Sequence, residues 1–157
     1  MKITFLTVGK TEDAYLKDGI EKYVKRLKHY TRLEMMELAE LKNTKALTPG
    51  QQKAKEAEMI LKKIAPTDHV VLLDENGTEL SSNQFAAYLE KKNISATASL
   101  IFIVGGPYGF DDAVYQRAND KQSLSRMTFS HQMVRLFFVE QLYRAFTIIK
   151  GEPYHHE

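Results

Sequence analysis

Leu100–Phe110 reads LIFIVGGPYGF, and this stretch decides the fold. Five apolar residues, Leu100 to Val104, run unbroken into Gly105-Gly106-Pro107. An apolar run of that length, rich in Ile and Val, reads as a strand buried on both faces of a sheet. The glycines and the proline end it sharply. Paired glycines let the backbone approach another group closely, because no Cβ intervenes. In open α/β sheets, ligands sit beyond the carboxyl ends of the strands. A small-molecule site is therefore expected at Gly105–Gly109.

Helices and strands alternate on either side. Lys2–Val8 reads as a strand that stops at Gly9-Lys10. Thr11 is expected to N-cap the next helix, with Glu12 and Asp13 in its first turn. Leu16, Ile20, Tyr23, Val24 and Leu27 share its sheet-facing side. The opposite, lysine-rich side fits a solvated face better than an RNA contact. Leu33–Leu38 is a second strand, and Glu40–Thr48 a polar loop. Thr48 and Gln51 form a capping box with Pro49 at the first helical position. Ala57, Ile60, Leu61 and Ile64 make that helix's buried stripe, and Pro66 follows it. His69–Leu73 is a strand that Asp74–Gly77 is expected to turn. Ser81 and Gln84 form a second capping box, for a helix to about Lys92. Beyond the central strand, Asp111 caps a short helix over Asp112–Ala118. Gln122–Ser125 leads into Met127-Thr128-Phe129. Ser130 caps a long helix, His131–Lys150, which Gly151 ends. The alternation predicts a single α/β domain over residues 1–157, with a mostly parallel sheet flanked by helices.

The last helix has almost no polar face. Met133, Val134, Leu136, Phe137, Phe138, Val139, Leu142, Tyr143, Phe146, Ile148 and Ile149 surround it. A helix apolar all round must be covered all round. A second copy of the chain is the expected cover, giving a homodimer, as against a helix sunk in its own core. Arg135, Glu140, Gln141 and Arg144 interrupt the apolar surface. Buried charges are costly unless paired or used. Arg144 lies four residues past Glu140, on the same face. The two read either as an ion pair fixing the dimer register or as part of a cationic wall for RNA.

Charge excludes some classes. Residues 1–80 carry 14 Lys/Arg against 13 Asp/Glu, and residues 81–157 carry 8 against 7. A general nucleic-acid coating protein is more basic, so RNA binding would need a local patch or an assembled surface. With no cysteine there is no disulfide, thiolate metal site or cysteine nucleophile. Ile3–Val8 is too short for a signal peptide or a membrane span, and the C-terminus lacks a lipidation motif. A cytoplasmic protein without a membrane partner is the expectation.

The loop Gly105-Gly106-Pro107-Tyr108-Gly109 is neither the G-x-G-x-x-G fingerprint nor a Walker loop. A nicotinamide-type oxidoreductase is thereby disfavoured. Alone, the loop fits a tight turn as well as a ligand site. His131, His155 and His156 lack helical metal-ligand spacing, so no metal is expected. His155-His156-Glu157 reads as a tail that is either disordered or folded back over a site.

Taken together, HVVLLDENG, IFIVGGPYGF, LSRMTFSHQMVR, EQLYRAF and PYHHE, with the opening KITFLTVGK, strongly resemble the RlmH family of SPOUT methyltransferases. The likeness covers essentially the whole chain. It implies an α/β fold with a C-terminal trefoil knot, which default topology rules would not suggest. It implies a homodimer that uses S-adenosylmethionine to methylate N3 of a pseudouridine in helix 69 of 23S ribosomal RNA, on the ribosome. The positions matching the family's cofactor site are Leu73, Gly105, Leu124, Ser125, Arg126, Met127, Thr128 and Phe129. Leu73, Leu124, Met127 and Phe129 suit the walls of an adenine pocket. No metal is required for in-line methyl transfer, whose main demand is alignment. The pseudouridine N3–H must lose its proton, so a base or an anion-stabilising cation is needed. Glu140, His131, Arg144, Tyr154 and His155 are the candidates, with the tail expected to cross to the partner's cofactor site. Some relatives end His-Arg-Glu, where this chain has His155-His156-Glu157. A protein of the same fold that binds RNA or assists assembly without catalysis is the alternative.

Overall fold

In the computed structural model, β1 (Lys2–Val8), β2 (Arg32–Leu38), β3 (His69–Glu79), β4 (Ser99–Val104) and β5 (Asp120–Ser123) alternate with helices. The helices are α1 (Ala14–Leu27), α2 (Pro49–Lys62), α3 (Ser82–Ile94), α4 (Asp112–Arg117) and α5 (Met133–Ile149). The structure describes residues 1–156. Glu157, the end of the expected tail, lies outside the described residues. All strand pairs are parallel, in the order β2-β1-β4-β3-β5.

Strand alternation sorts the core into two layers. Phe5, Val71, Leu100, Phe102 and Val104 face α1, α3 and α5. Leu6, Val70, Leu72, Ile101 and Ile103 face α2 and α4. The central apolar run is thus buried on both sides, as its composition predicts. Phe138 of α5 seats on the first layer, 4.5 Å from the ring of Phe5 and 4.8 Å from Phe102. Each capping box forms as read: Thr48 Oγ1 accepts from the Gln51 N–H, and Ser81 Oγ from the Gln84 N–H.

Three expectations are corrected. Thr11 does not cap α1; Asp13 occupies that position without a side-chain bond. Both polar groups of Thr11 are committed elsewhere, its N–H to Glu37 Oε2 and its hydroxyl to Arg135. Asp74–Gly77 does not turn the chain away. β3 bulges there and rejoins β5, so that Gln122 faces first Leu73 and then Thr78. Asp74 does make the local turn bond, accepting from the Asn76 N–H. Gly77 then passes so close to β5 that a Cβ would stand 2.7 Å from the Gln122 backbone. Finally, an unexpected edge strand, Asp120–Ser123, overlaps the start of the Gln122–Ser125 segment, and its four residues carry no apolar alternation.

Most of α5 is covered by the chain's own elements. Phe138, Val139, Leu142 and Ala145 are fully buried. Gly19 of α1 lets Leu136 approach to about where a Cβ would touch it. The side chains of Met133 (42 % exposed) and Phe137 (43 %) remain open. Arg135 is 2 % exposed and serves as a clamp rather than an RNA contact. Its guanidinium donates to the carbonyls of Val8, Gly9 and His131 at 2.9–3.1 Å. Burial lowers its pKa, while Glu37, Glu12 and Glu40 favour its charge. Beside it Gln132 accepts from the Glu12 N–H and donates to the Lys10 carbonyl. Together they tie the start of α5 to the end of β1.

Candidate active site

The carboxyl ends of β3 and β4 open onto a cleft of about 280 Å³. Its floor is Gly105–Gly109, closed by a bond from the Gly109 N–H to the Gly106 carbonyl. One wall is Leu73–Asn76; the other is Ser123–Ser125 and Met127–Phe129 with His131 and Val134. A neighbouring hollow of about 400 Å³ shares Ser123, Leu124 and Phe129 and extends toward Phe137 and Gln141. Small-ligand sites span roughly 300–1,000 Å³, so the two hollows together have ligand size.

Two polar links hold the walls. Thr128 Oγ1 donates to Glu75 Oε2 at 2.7 Å, joining the segment after β5 to the β3 bulge. Tyr115 donates to Asp74 Oδ2 from behind. Burial first, then that hydrogen bond and the Asp74 charge, raise the Tyr115 pKa, so the phenol stays a donor. Ser125 Oγ accepts from the Met127 N–H and shapes the segment locally. Apolar surface is left uncovered here: Leu124 is 37 % exposed and Met127 77 %.

The glycine pair lets the loop approach other groups closely, as read. The side of Gly106 where a Cβ would stand faces the carboxyl of Glu56, 2.6 Å away. That of Gly105 faces the Phe110 ring and the Gly109 backbone. The close approach read from the sequence is therefore to protein.

Of the expected cofactor positions, Leu73, Gly105, Leu124, Ser125, Met127, Thr128 and Phe129 line the cleft. Arg126 does not; its side chain points outward to Glu79 at 3.5 Å. Asp74, Glu75 and Asn76 line the cleft without having been singled out. The rule that flagged Gly105, position at a strand's carboxyl end, applies to them equally.

Among the candidate chemical groups, only His131 lies on the cleft. Glu140, Arg144, Tyr154 and His155 gather further along α5. Arg144 is ten residues past Val134, about 15 Å of helix. There Glu140 Oε1 accepts from Arg144 Nη2 at 2.6 Å and from the Tyr154 hydroxyl at 3.0 Å. Glu140 Oε2 accepts from Gln141. Arg144 Nη1 donates to His155 Nδ1 at 3.1 Å, and its guanidinium lies 4.8 Å from the Tyr154 ring centre. Arg144 Nε is buried and has no acceptor among the described residues. Burial disfavours the Arg144 charge, but the Glu140 carboxylate outweighs it and the pKa rises. Tyr154 is also pushed up, by burial and then by its bonds to Tyr23 and Glu140. It is a hydrogen-bond donor here, not a base.

Tyr23 of α1 and Tyr30, just beyond its end, hold this tail; the helical pattern marks Tyr23 only as part of the sheet-facing side and does not mark Tyr30. The Tyr23 and Tyr154 hydroxyls are 3.3 Å apart, and Tyr30 donates to Glu152 Oε2 at 2.6 Å. Tyr143 packs its ring edgewise on Tyr154, 4.8 Å between centres.

Among the described residues no three His, Cys, Asp or Glu side chains gather to hold a metal. No described helix is long and apolar enough to cross a membrane.

A family model described as a predicted SPOUT methyltransferase matches residues 1–155. The chain is 54% identical over 157 residues to the ribosomal RNA large subunit methyltransferase H of Parabacteroides distasonis, covering all of both chains. Its counterpart in Cytophaga hutchinsonii is 56% identical over 156 residues, 99% of this chain and all of its own. That of Flavobacterium psychrophilum is 54% identical over the full length of both. The parallel sheet, the cleft at its strand ends and these full-length likenesses agree, and the chain belongs to the SPOUT methyltransferase family.

Proposed function

We propose that this chain methylates N3 of a pseudouridine in helix 69 of 23S ribosomal RNA, on the assembled ribosome, with S-adenosylmethionine as donor. The observation that carries the reading is the cleft at the ends of β3 and β4. Its exposed apolar walls, Leu124 and Met127, are surfaces a flat heterocycle would cover. The names of the full-length relatives point to the same class of substrate. The donor fits the residues present: apolar walls from Leu73, Leu124, Met127 and Phe129, and main chain at Gly105 and Leu124 for its polar edge. Bound there, S-adenosylmethionine supplies a methyl group activated by its sulfonium.

The rest is done by the chain. The cleft walls align the donor. His131, the one candidate that lines the cleft, takes the N3 proton in this reading. Glu140 already accepts from three donors, so its task is to orient Arg144 and Tyr154. Arg144 then stabilises the nitrogen anion, a role supported by its buried Nε, which has no acceptor among the described residues. In a single chain these groups stand away from the cleft. We infer a homodimer in which the tail of one copy, residues 152–156, completes the cleft of the other. Exposed Met133 and Phe137, continuous with the cleft through Phe129 stacked at 5.0 Å on Phe137, support that contact. The trefoil knot and a cytoplasmic setting belong to the same reading.

The test uses bacterial ribosomes lacking the modification, the protein and labelled donor. The expected product is methylated pseudouridine in the large subunit. Free 23S RNA should react poorly, because a chain with net charge +2 has few cations to grip phosphates. A folded dimer that transfers nothing would count against the reading, and calorimetry would then identify a catalytically silent RNA-binding protein by its failure to bind donor.

A further inference from the structure

Glu56 is a buried carboxyl for which the fold alone offers no use. It lies on α2, 4 % exposed, beside Ala57 and Ile60, which pack into the core. Its hydrogen bond comes from Gln52 Nε2, one turn earlier, at 3.4 Å. An apolar side chain would fill the same space without the desolvation cost. Burial raises its pKa, opposed by the Gln52 bond, reinforced by Glu40 and opposed again by His131. The carboxyl meets the back of the loop whose front floors the cleft. A Cβ on Gly106 would lie 2.6 Å from Oε2 and 2.7 Å from Oε1. Gly105, Pro107 and Gly109 on either side line the cleft, and the Gly106–Gly109 bridge makes the loop one unit.

We propose that Glu56 is a positioning residue of this loop: its carboxyl wedges against Gly106 and sets how far the loop projects into the cleft. The inference rests on the reading of the cleft as the donor site. It also accounts for Gly106, since a methyl there would displace the buried Glu56 carboxyl.

Calorimetry with S-adenosylmethionine and melting of the donor-free protein test it on the parent chain, Gly106→Ala, Glu56→Ala, the two combined, and Glu56→Gln. Gly106→Ala should weaken donor binding about tenfold or more, and Glu56→Ala severalfold. The combined variant should bind at least about threefold tighter than Gly106→Ala alone, because the added methyl enters the vacated space. Glu56→Gln keeps the shape and should bind within about twofold of the parent. Gly106→Ala binding like the parent, or a combined variant no tighter than Gly106→Ala, overturns the proposal. Should Gly106→Ala fail to fold, Glu56→Ala weakened with Glu56→Gln intact upholds it, and the two behaving alike overturns it. A parent that binds no donor overturns the reading of the cleft, and the role of Glu56 with it, even where the melting temperatures still couple the two positions.

Discussion

The cleft at the strand ends and the cluster around Tyr154 are made of opposite materials. The cleft is loops, glycines and exposed apolar side chains, with His131 its one candidate base. The cluster is side chains: a carboxylate, a guanidinium, an imidazole and tyrosine hydroxyls, linked at 2.6–3.3 Å. A main-chain cleft suits holding a neutral ring and aligning a reactive group. A charged, hydrogen-bonded cluster suits an anion. The proposed reaction needs both, and one copy of the chain keeps them about three turns of α5 apart. The division of labour is itself the reason to expect two chains in the working unit.

The comparison can be broken by variants that should damage one region and spare the other. Arg144→Ala removes the cation and should lower methyl transfer about 100- to 1,000-fold, as loss of an anion-stabilising donor does elsewhere. Donor affinity, by calorimetry, should change little. Equal transfer with binding and assembly intact would remove Arg144 from the reaction. Arg135→Met sharpens the contrast, since Arg135 clamps β1 to α5 and belongs to neither region. It should cost about 3 kcal/mol of stability in denaturant unfolding, through carbonyls left buried and unmatched. Transfer per folded molecule should hold.

Gly77→Ala strikes the cleft alone. Its methyl meets the Gln122 backbone and should cost about 1–3 kcal/mol, with weaker donor binding as the β3 and β5 ends spread. The smallest effect is expected at Tyr30. Its hydrogen bond to Glu152, then partial burial and that carboxylate's charge, push its pKa to about 12. The raised value means the bond's contribution is intact below the ordinary tyrosine range near pH 10 and is lost as pH rises through about 12. Tyrosinate absorbance should show this late titration disappear in Tyr30→Phe and move earlier in Glu152→Gln.

The same contrast explains what the sequence discloses. Local signals carry local structure: the unbroken run Leu100–Val104 and the capping boxes at Thr48 and Ser81 each form as read. Thr11 misleads because its hydroxyl has a better offer from Arg135, 124 residues away. The β5 edge strand is hidden because Asp120-Lys121-Gln122-Ser123 has no alternating apolar face. The bulge at Asp74–Gly77 carries turn residues but is decided by the gap beside Gln122. The Gly105–Gly109 loop is legible from the strand-end pattern, whereas the Leu124–Phe129 wall is marked only through a resemblance. The roles of Glu56, Tyr23 and Tyr30 are not legible, since no periodicity records which loop or tail a side chain will meet.

The central claim, that the cleft of one copy works with the cluster of another, is tested most directly by mixed dimers. One chain carries Gly105→Val, which crowds Phe110 and the Gly109 backbone and disables the cleft. The other carries Arg144→Ala. Each alone should be inactive on ribosomes. Co-expressed and purified through two different tags, the mixed dimer holds one intact composite site and should recover about half of the parent's transfer. Mixed dimers of confirmed composition that transfer no more than either damaged parent would contradict the account.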